Sequence, residues 1–417
     1  MAFCLVGGTV FTPLRTLSPG VVVVEDGRIM AVGDEHLKVG GSVREIDVSG
    51  FYVSPGFIDI HVHGGGGHDV MEGSLEALTA IAETHARGGT TAWLATTLTA
   101  PVDQIQKALQ AIEKAVDAPL GGAKLLGAHL EGPYFHPEQA GAQNPAYLKH
   151  PDLSEYKELL DNFPCVKRVS AAPELPGGLE LGRELRRRGI LASIGHSNAT
   201  YQQVLEAMES GFSHVTHIYS GMSSVRRIKA YRFAGVLEAA LLLDDLTTEM
   251  IADGHHLPPS LMRLVVKAKG TERVCVVTDA IAAAGLGPGR YQLGGLDVVV
   301  EDEVPDGYEV HLSKGNYVAK LADRSAFAGS AATMNMLVRN LVNLVGLPLI
   351  EAVKMATWTP ARILGISHER GLLAPGMVAD LVVFDENLDV RMTIVEGKIA
   401  YQRYGGDVVW RRSFPGR

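Results

Sequence analysis

The stretch Phe57-Ile58-Asp59-Ile60-His61-Val62-His63 runs directly into Gly64-Gly65-Gly66-Gly67. It reads as a short apolar strand that ends at His61/His63. Strand side chains alternate with period two, so both imidazoles face the same way. Working outward along the chain, further candidate strands end at Thr96/Thr97, Glu131, Pro173, His196, His217, Gly254/His255 and Asp279. The segments between them, such as Ser74–Arg87, Leu179–Arg188 and Tyr201–Ser210, carry helix formers with mixed apolar and charged positions. Eight strands alternating with helices over roughly 300 residues fit a (β/α)8 TIM-like barrel better than a doubly wound sheet. A barrel interior is one face of every strand, so His61 and His63 can converge there on one ion.

Both ends of the chain read as β structure. Val21–Val24 leads into Glu25-Asp26-Gly27-Arg28-Ile29, an Asp-Gly turn between two apolar runs. Met392–Val395 meets Glu396-Gly397-Lys398-Ile399 in a similar pattern, and Ala379–Phe384 supplies another strand. Neither end holds enough apolar surface to stand alone. The expectation is a small discontinuous β-sandwich domain from residues 1–54 and 365–417, beside a barrel of residues 55–364.

Composition removes several classes of function. The 417 residues carry 38 Lys and Arg against 47 Asp and Glu, a net charge of −9, with no basic run. Broad electrostatic binding to nucleic acid or to an anionic membrane is therefore disfavoured. The three cysteines, Cys4, Cys165 and Cys275, form no CxxC pair, which argues against a disulfide framework and a thiolate zinc site. The N-terminus shows no basic segment followed by an apolar one, and no apolar run reaches membrane length. A cytoplasmic protein is the expectation.

Active sites of such barrels sit at the C-terminal ends of the strands. There the sequence places His61, His63, Glu131, His196, His217, His255/His256 and Asp279. Neutral imidazole and carboxylate are what zinc and neighbouring metals take as ligands. One HxH alone is a weak signal; the whole set at successive strand ends is a strong one. Bland readings exist for the other histidines. His36, His68, His85, His136, His150, His214, His311 and His368 are assigned surface or structural roles, and His129 second-layer packing beneath Glu131. For Asp279 the alternative is an N-cap, because Asp279-Ala280 precedes a candidate helix; for Asp253-Gly254 it is a turn.

The residues also carry a family resemblance. Pro55–Gly67, His129-Leu130-Glu131-Gly132-Pro133-Tyr134, Gly195-His196-Ser197, Thr216-His217, Ile251–His256 and Val277-Thr278-Asp279-Ala280 resemble the N-acetylglucosamine-6-phosphate deacetylases of the amidohydrolase superfamily. The resemblance continues through Ala328–Met334 and Met355–Ala361 to Leu373–Leu381, covering essentially the whole chain in order. Hydantoinase-like members place a metal-bridging lysine at the end of the fourth strand. Here that strand, Val166–Pro173, has its only lysine, Lys167, at the start. By resemblance, Glu131, His196 and His217 hold the primary divalent ion, zinc or iron, and His61 and His63 leave room for a second. The implied reaction hydrolyses the acetamide of N-acetylglucosamine 6-phosphate in amino-sugar catabolism and cell-wall sugar recycling. The resemblance further implies that Asp279 moves the proton and that the enzyme works as a homodimer.

Three departures bear on the substrate. Ser220-Gly221-Met222 stands where relatives carry Asn-Ala-Met, and Ser and Gly keep the backbone N–H groups that meet the sugar phosphate. Arg226-Arg227-Ile228-Lys229-Ala230-Tyr231-Arg232-Phe233 replaces an Arg-Glu-Pro-Gly stretch, which makes Arg226 and Arg227 candidate phosphate clamps. In Gly141-Ala142-Gln143, Ala142 and Gln143 fall in the substrate-binding stretch, with Gln143 where several relatives use His; its amide can donate the same hydrogen bond. His256 matches the family's substrate-binding His. The alternatives are a deacetylase of another N-acetyl hexosamine (N-acetylgalactosamine 6-phosphate or an unphosphorylated sugar), a cyclic amidohydrolase, and a sugar-binding protein on a barrel that has lost its activity.

Overall fold

The computed structural model describes residues 2–37, 43–309, 316–403 and the backbone of 409–411. His311 and parts of the two terminal stretches lie outside the described residues. Eight parallel strands follow one another in chain order: Phe57–Val62, Thr90–Thr96, Lys124–Glu131, Val166–Ala171, Leu191–Ile194, Phe212–Val215, Thr247–Met250 and Val274–Val276. The eighth returns to the first through a parallel bridge between Val62 and Ala280 and a 3.0 Å bond from the Asp279 N–H to the His61 carbonyl. Asp59 pins the same seam, accepting from the Thr278 hydroxyl at 2.6 Å. Period-two alternation turns Ile58 and Ile60 into apolar packing. Asp59, His61 and His63 share the opposite, inward face.

The expected helices form where the sequence places them. Leu75–Arg87 is capped by the Ser74 hydroxyl, and Tyr201–Glu209 by Thr200, paired reciprocally with Gln203. Gly178–Arg188 stops at Gly189 in the left-handed conformation. Asp279 caps no helix: residues 282–285 form a turn, and the carbonyls of Ala280, Ala282 and Ala284 accept from the backbone N–H groups of His63, Gly64, Gly66 and Gly67.

The two ends of the chain meet in one mixed sheet. Phe3–Phe11 pairs antiparallel with Thr16–Glu25 and parallel with Arg44–Asp47 and Tyr52–Pro55. Tyr52–Pro55 pairs with Leu381–Phe384, which brings Val53 opposite Val383. Asp26 and Gly27 both have positive φ, as do Glu396 and Gly397. These are the two-residue hairpin turns that the Asp-Gly and Glu-Gly steps announced. Leu5, Val22, Ile46, Leu381 and Ile394 are fully buried in the core of this sheet.

One element departs from strand–helix alternation. Between the eighth strand and the helix Met334–Asn340 lies an antiparallel sheet of Gly289–Leu293, Leu296–Glu301, Val318–Leu321 and Phe327–Ser330. Gly294-Gly295 turns its first hairpin, both at positive φ. Its apolar face, including Leu293, Val298 and Val300, packs with Leu98 and Ile281 beside the barrel mouth.

An ion cluster ties the segment that precedes the C-terminal strands to the hairpin at their end. Arg370 donates to Asp380 and, at 2.7 Å, to Glu396, while Asp380 accepts the Glu396 N–H at 2.8 Å. Burial pushes the Asp380 carboxyl up to about 6 against the pull of Arg370. Arg370→Met should leave that carboxylate buried without its cation and cost about 3–5 kcal/mol. Urea unfolding should show the lowered midpoint; an unchanged midpoint would mean the cluster does not hold the sheet.

Candidate metal centre and active site

Four imidazoles and two carboxylates converge at the C-terminal mouth of the barrel. His217 Nε2 stands 3.2 Å from both Glu131 Oε1 and His196 Nε2, and His196 Nε2 stands 3.6 Å from Glu131 Oε1. Beside them, His61 Nε2 and His63 Nε2 are 3.2 Å apart, and Asp279 Oδ1 lies 3.3 and 3.2 Å from them. Glu131 joins the two triads: Oε1 is 3.3 Å from His61 and Oε2 is 3.2 Å from His63. All six side chains are buried.

What each histidine does with its other nitrogen settles the chemistry. His63 Nδ1 faces the Thr96 carbonyl, His196 Nδ1 the Gln139 carbonyl and His217 Nδ1 the Ser220 carbonyl. His61 Nδ1 faces the Glu249 carboxylate at 2.8 Å. Carbonyls and carboxylates only accept, so each Nδ1 carries the hydrogen and each neutral ring turns a bare Nε2 lone pair inward. Four lone pairs and two carboxylates then meet with no donor among them. Only cations relieve that arrangement. Ligands about 2.0–2.1 Å from a tetrahedral ion lie roughly 3.3–3.4 Å from one another, close to the spacings found in both triads. Without a metal, protons take its place. Burial lowers the His63 pKa, but hydrogen bonds and charge from Asp279 and Glu131 outweigh it and raise it to about 9. Burial raises Glu131, yet His61 and the other imidazoles hold it well below the usual carboxylate range.

A second layer fixes these ligands. Glu249 accepts from His61 Nδ1, from the His217 N–H at 3.1 Å and from Arg168 at 2.5 Å. Arg168, wholly buried, also donates to Ser193, Thr216 and the Ile60 carbonyl. His214 joins the cluster through Glu249, and His129 packs edge-on to His61 while bonding Ser170 at 2.7 Å. The sequence reading did not single out Arg168 or Glu249. A charged residue inside a predicted barrel strand was the available signal.

The backbone is strained where the ligands leave the strands. His196, His217 and Asp279 have φ of 46°, 23° and 49°. Non-glycine residues visit that region at a cost, and they cluster at functional sites. Two glycines make the turns fit. A Cβ on Gly221 would stand 2.8 Å from His196 Nδ1, and one on Gly329 would stand 2.6 Å from the Asp279 carbonyl oxygen.

The site opens into a cavity of about 280 Å³. Ala142, Gln143, Ser220, Gly221 and His256 line it, as the sequence reading expected. Tyr219, Leu98, Leu293 and Phe327 line it too and were not anticipated, because two of them come from the inserted sheet. Of the adjacent histidines, His256 faces the cavity while His255 turns toward the Asn316 carbonyl. Arg226 and Arg227 do not line it. They stand exposed on a hairpin of Arg226–Ile228 and Tyr231–Phe233.

This geometry agrees with the comparisons. A model described as the amidohydrolase family matches residues 52–400. The N-acetylgalactosamine-6-phosphate deacetylase of Escherichia coli O157:H7 is 35% identical over 90% of this chain and 93% of its own. The N-acetylglucosamine-6-phosphate deacetylase of Lysinibacillus sphaericus is 34% identical over 91% of this chain and 93% of its own. The structure of a mutant N-acetyl-D-glucosamine-6-phosphate deacetylase from Mycobacterium smegmatis, in complex with N-acetyl-D-glucosamine-6-phosphate, superposes with a TM-score of 0.85 at 32% identity, covering 96% of this chain and 99% of that one. The chain belongs to the N-acetylglucosamine-6-phosphate deacetylase family of amidohydrolases.

Within this deacetylase family, the fourth strand now has a physical reading. Lys167 points outward and is exposed, so it cannot bridge metals inside the barrel. The inward position next to it is filled by Arg168, a permanent cation. Glu131 is left as the carboxylate shared by the two triads. Among the described residues, no helix is long and apolar enough to cross a membrane.

Replacing Glu131 with Ala should empty the Glu131–His196–His217 site, read as metal per protein after dialysis. His61→Ala should reduce a second ion more than the first. Unchanged metal content in Glu131→Ala would overturn the assignment.

Proposed function

We propose that this deacetylase hydrolyses the acetamide of N-acetylglucosamine 6-phosphate to glucosamine 6-phosphate and acetate, in amino-sugar catabolism and cell-wall sugar recycling. The observation that carries the reading is that Asp279, the carboxylate of the triad with His61 and His63, lines the cavity together with the Glu131–His196–His217 triad. A divalent ion there, zinc or iron, supplies Lewis-acid activation of water and polarisation of the acetyl carbonyl. The chain's own residues do the rest. Asp279 takes the water's proton and delivers it to the departing amine, a very poor leaving group unless protonated. Burial raises its pKa, but without a metal the protonated imidazoles of His61 and His63 outweigh that and keep it low.

Gln143 is held at both ends, donating to Glu131 Oε2 at 2.7 Å and accepting the Thr99 N–H at 2.8 Å. A primary amide has a second N–H, available to the developing oxyanion. His256 and the Gly221 N–H bind the sugar phosphate, the Ser220 N–H being donated to the His217 carbonyl at 2.9 Å. Arg226 and Arg227 stand outside this chain's cavity; their part in phosphate binding rests on a homodimer in which the hairpin of a second copy reaches the site. The second reading, N-acetylgalactosamine 6-phosphate as substrate, draws on the Escherichia coli relative.

Asp279→Asn should lower kcat by about 10²–10⁴-fold with the fold retained; near-native turnover would move the proton transfer elsewhere. For the phosphate, N-acetylglucosamine 6-phosphate should exceed free N-acetylglucosamine in kcat/KM by at least ~10²-fold, as two charge-assisted hydrogen bonds imply. An Arg226→Ala/Arg227→Ala variant should lose most of that preference. Equal kcat/KM on the wild type would retire the phosphate, and a panel including the galacto epimer decides the sugar.

A further inference from the structure

The loop Asp253-Gly254-His255-His256 leaves the seventh strand and turns back over the cavity. Asp253 is 1% exposed, yet its carboxylate is fully engaged. Oδ1 accepts the backbone N–H groups of His255 and His256, each at 2.9 Å, and Oδ2 faces His256 Nδ1 at 2.8 Å. The inserted sheet clamps the same loop from above. Asn316 donates to the Asp253 carbonyl at 2.8 Å, Tyr308 to the His255 carbonyl at 2.7 Å, and the Phe327 ring lies 4.8 Å from the His256 ring. A simple turn aspartate would use only its backbone contacts. This one spends its second oxygen on a ring that lines the substrate cavity.

We propose that Asp253 is a positioning residue for deacetylation, fixing the hydrogen on His256 Nδ1 so that Nε2 is presented to the bound substrate. The consequence is a ring with one orientation and one assignment of its two nitrogens. Carboxylate partners of functional histidines act in this way generally. Electrostatics point the same way. Burial lowers the His256 pKa, but the charge and hydrogen bond of Asp253, with the Asp279 charge across the cavity, raise it overall. Asp253 in turn lies low despite burial, because His256 and His255 stabilise its charge. The pair therefore favours a ring whose Nε2 also carries hydrogen and donates to a sugar or phosphate oxygen.

The inference rests on the proposed deacetylation for its kinetic arm and not for its spectroscopic one. In protein with ¹⁵N-labelled histidine, His256 assigned through the loss of its signals in His256→Gln should show a protonated, hydrogen-bonded Nδ1. Asp253→Asn keeps the volume and the acceptor for the two backbone N–H groups, and should abolish that signature. With N-acetylglucosamine 6-phosphate as probe, Asp253→Asn should lower kcat/KM roughly 10–100-fold. The loss should fall on KM more than kcat, at unchanged metal content. Combined with His256→Gln it should add little further loss. A bare Nδ1 in the wild type overturns the proposal without any aspartate variant, as does full additivity of the two substitutions. A wild type that leaves the probe untouched would defeat the substrate reading instead, while the ¹⁵N signature still decides Asp253.

Discussion

Four imidazoles cannot all point bare nitrogens at two ionised carboxylates unless something positive lies between them. Each Nδ1 is committed to an oxygen that can only accept, three of them backbone carbonyls. Backbone carbonyls do not titrate, so these tautomers are set by the fold itself. Much of the barrel mouth is organised around keeping those four Nδ1 bonds in place. The positive φ of His196 and His217, the absence of a Cβ at Gly221 and the engagement of Gln139 and Ser220 all follow from aiming two rings from adjacent strands at one point.

The layer below obeys the same logic with charges. Arg168 reaches the first, fourth, fifth, sixth and seventh strand regions at once, through Ile60, its own strand, Ser193, Thr216 and Glu249. A guanidinium suits this because its donors form a planar fork and it is never neutral. Glu249 then has one oxygen on Arg168 and the other on His61 and the His217 N–H, so a structural ion pair inside the barrel also sets ligands of both triads. Barrel closure and ligand placement are thus one problem. Asp59 makes the same point at the seam, holding Thr278 of the last strand region beside the His61 N–H.

This division explains what could be read from the residues alone. The period-two spacing of His61 and His63, the strand-end positions of Glu131, His196, His217 and Asp279, and the Asp26-Gly27 hairpin are local signals, and each appears in the structure where its pattern indicates. Arg168 and Glu249 gave only the weak signal of a charge inside a barrel strand, since their meaning comes from partners far along the chain. The inserted sheet was hidden for a related reason. Its strands alternate weakly and bury only one face, so Leu293 and Phe327 do not declare themselves as cavity residues until the hairpins fold back over the mouth. The family pattern matched His256, with His255 as the neighbouring alternative, and the structure separates their directions through Asp253 and Asn316.

Charge counting links these layers to the metal. Glu131 and Asp279 bring two negative charges to the two triads, while Arg168 with Glu249 is a neutral pair. Asp59 adds less than a full charge near neutral pH, since burial pushes its carboxyl up to about 7. One divalent ion therefore balances the carboxylates. Among the clustered ligand groups of the described residues, the only other one, His214–Glu249–Cys275, already spends its carboxylate on Arg168, His61 and His217. A second ion would leave two positive charges uncompensated until water loses a proton or an anionic substrate arrives. Occupancy of the His61–His63–Asp279 position is thereby coupled to what fills the cavity, whereas the Glu131–His196–His217 position draws on its own carboxylate. On the proposed mechanism, Asp279 cannot give a second ion its full charge and also serve as the base. The same oxygen pair would then have two uses, and the Glu131–His196–His217 cluster is the one that needs Asp279 least.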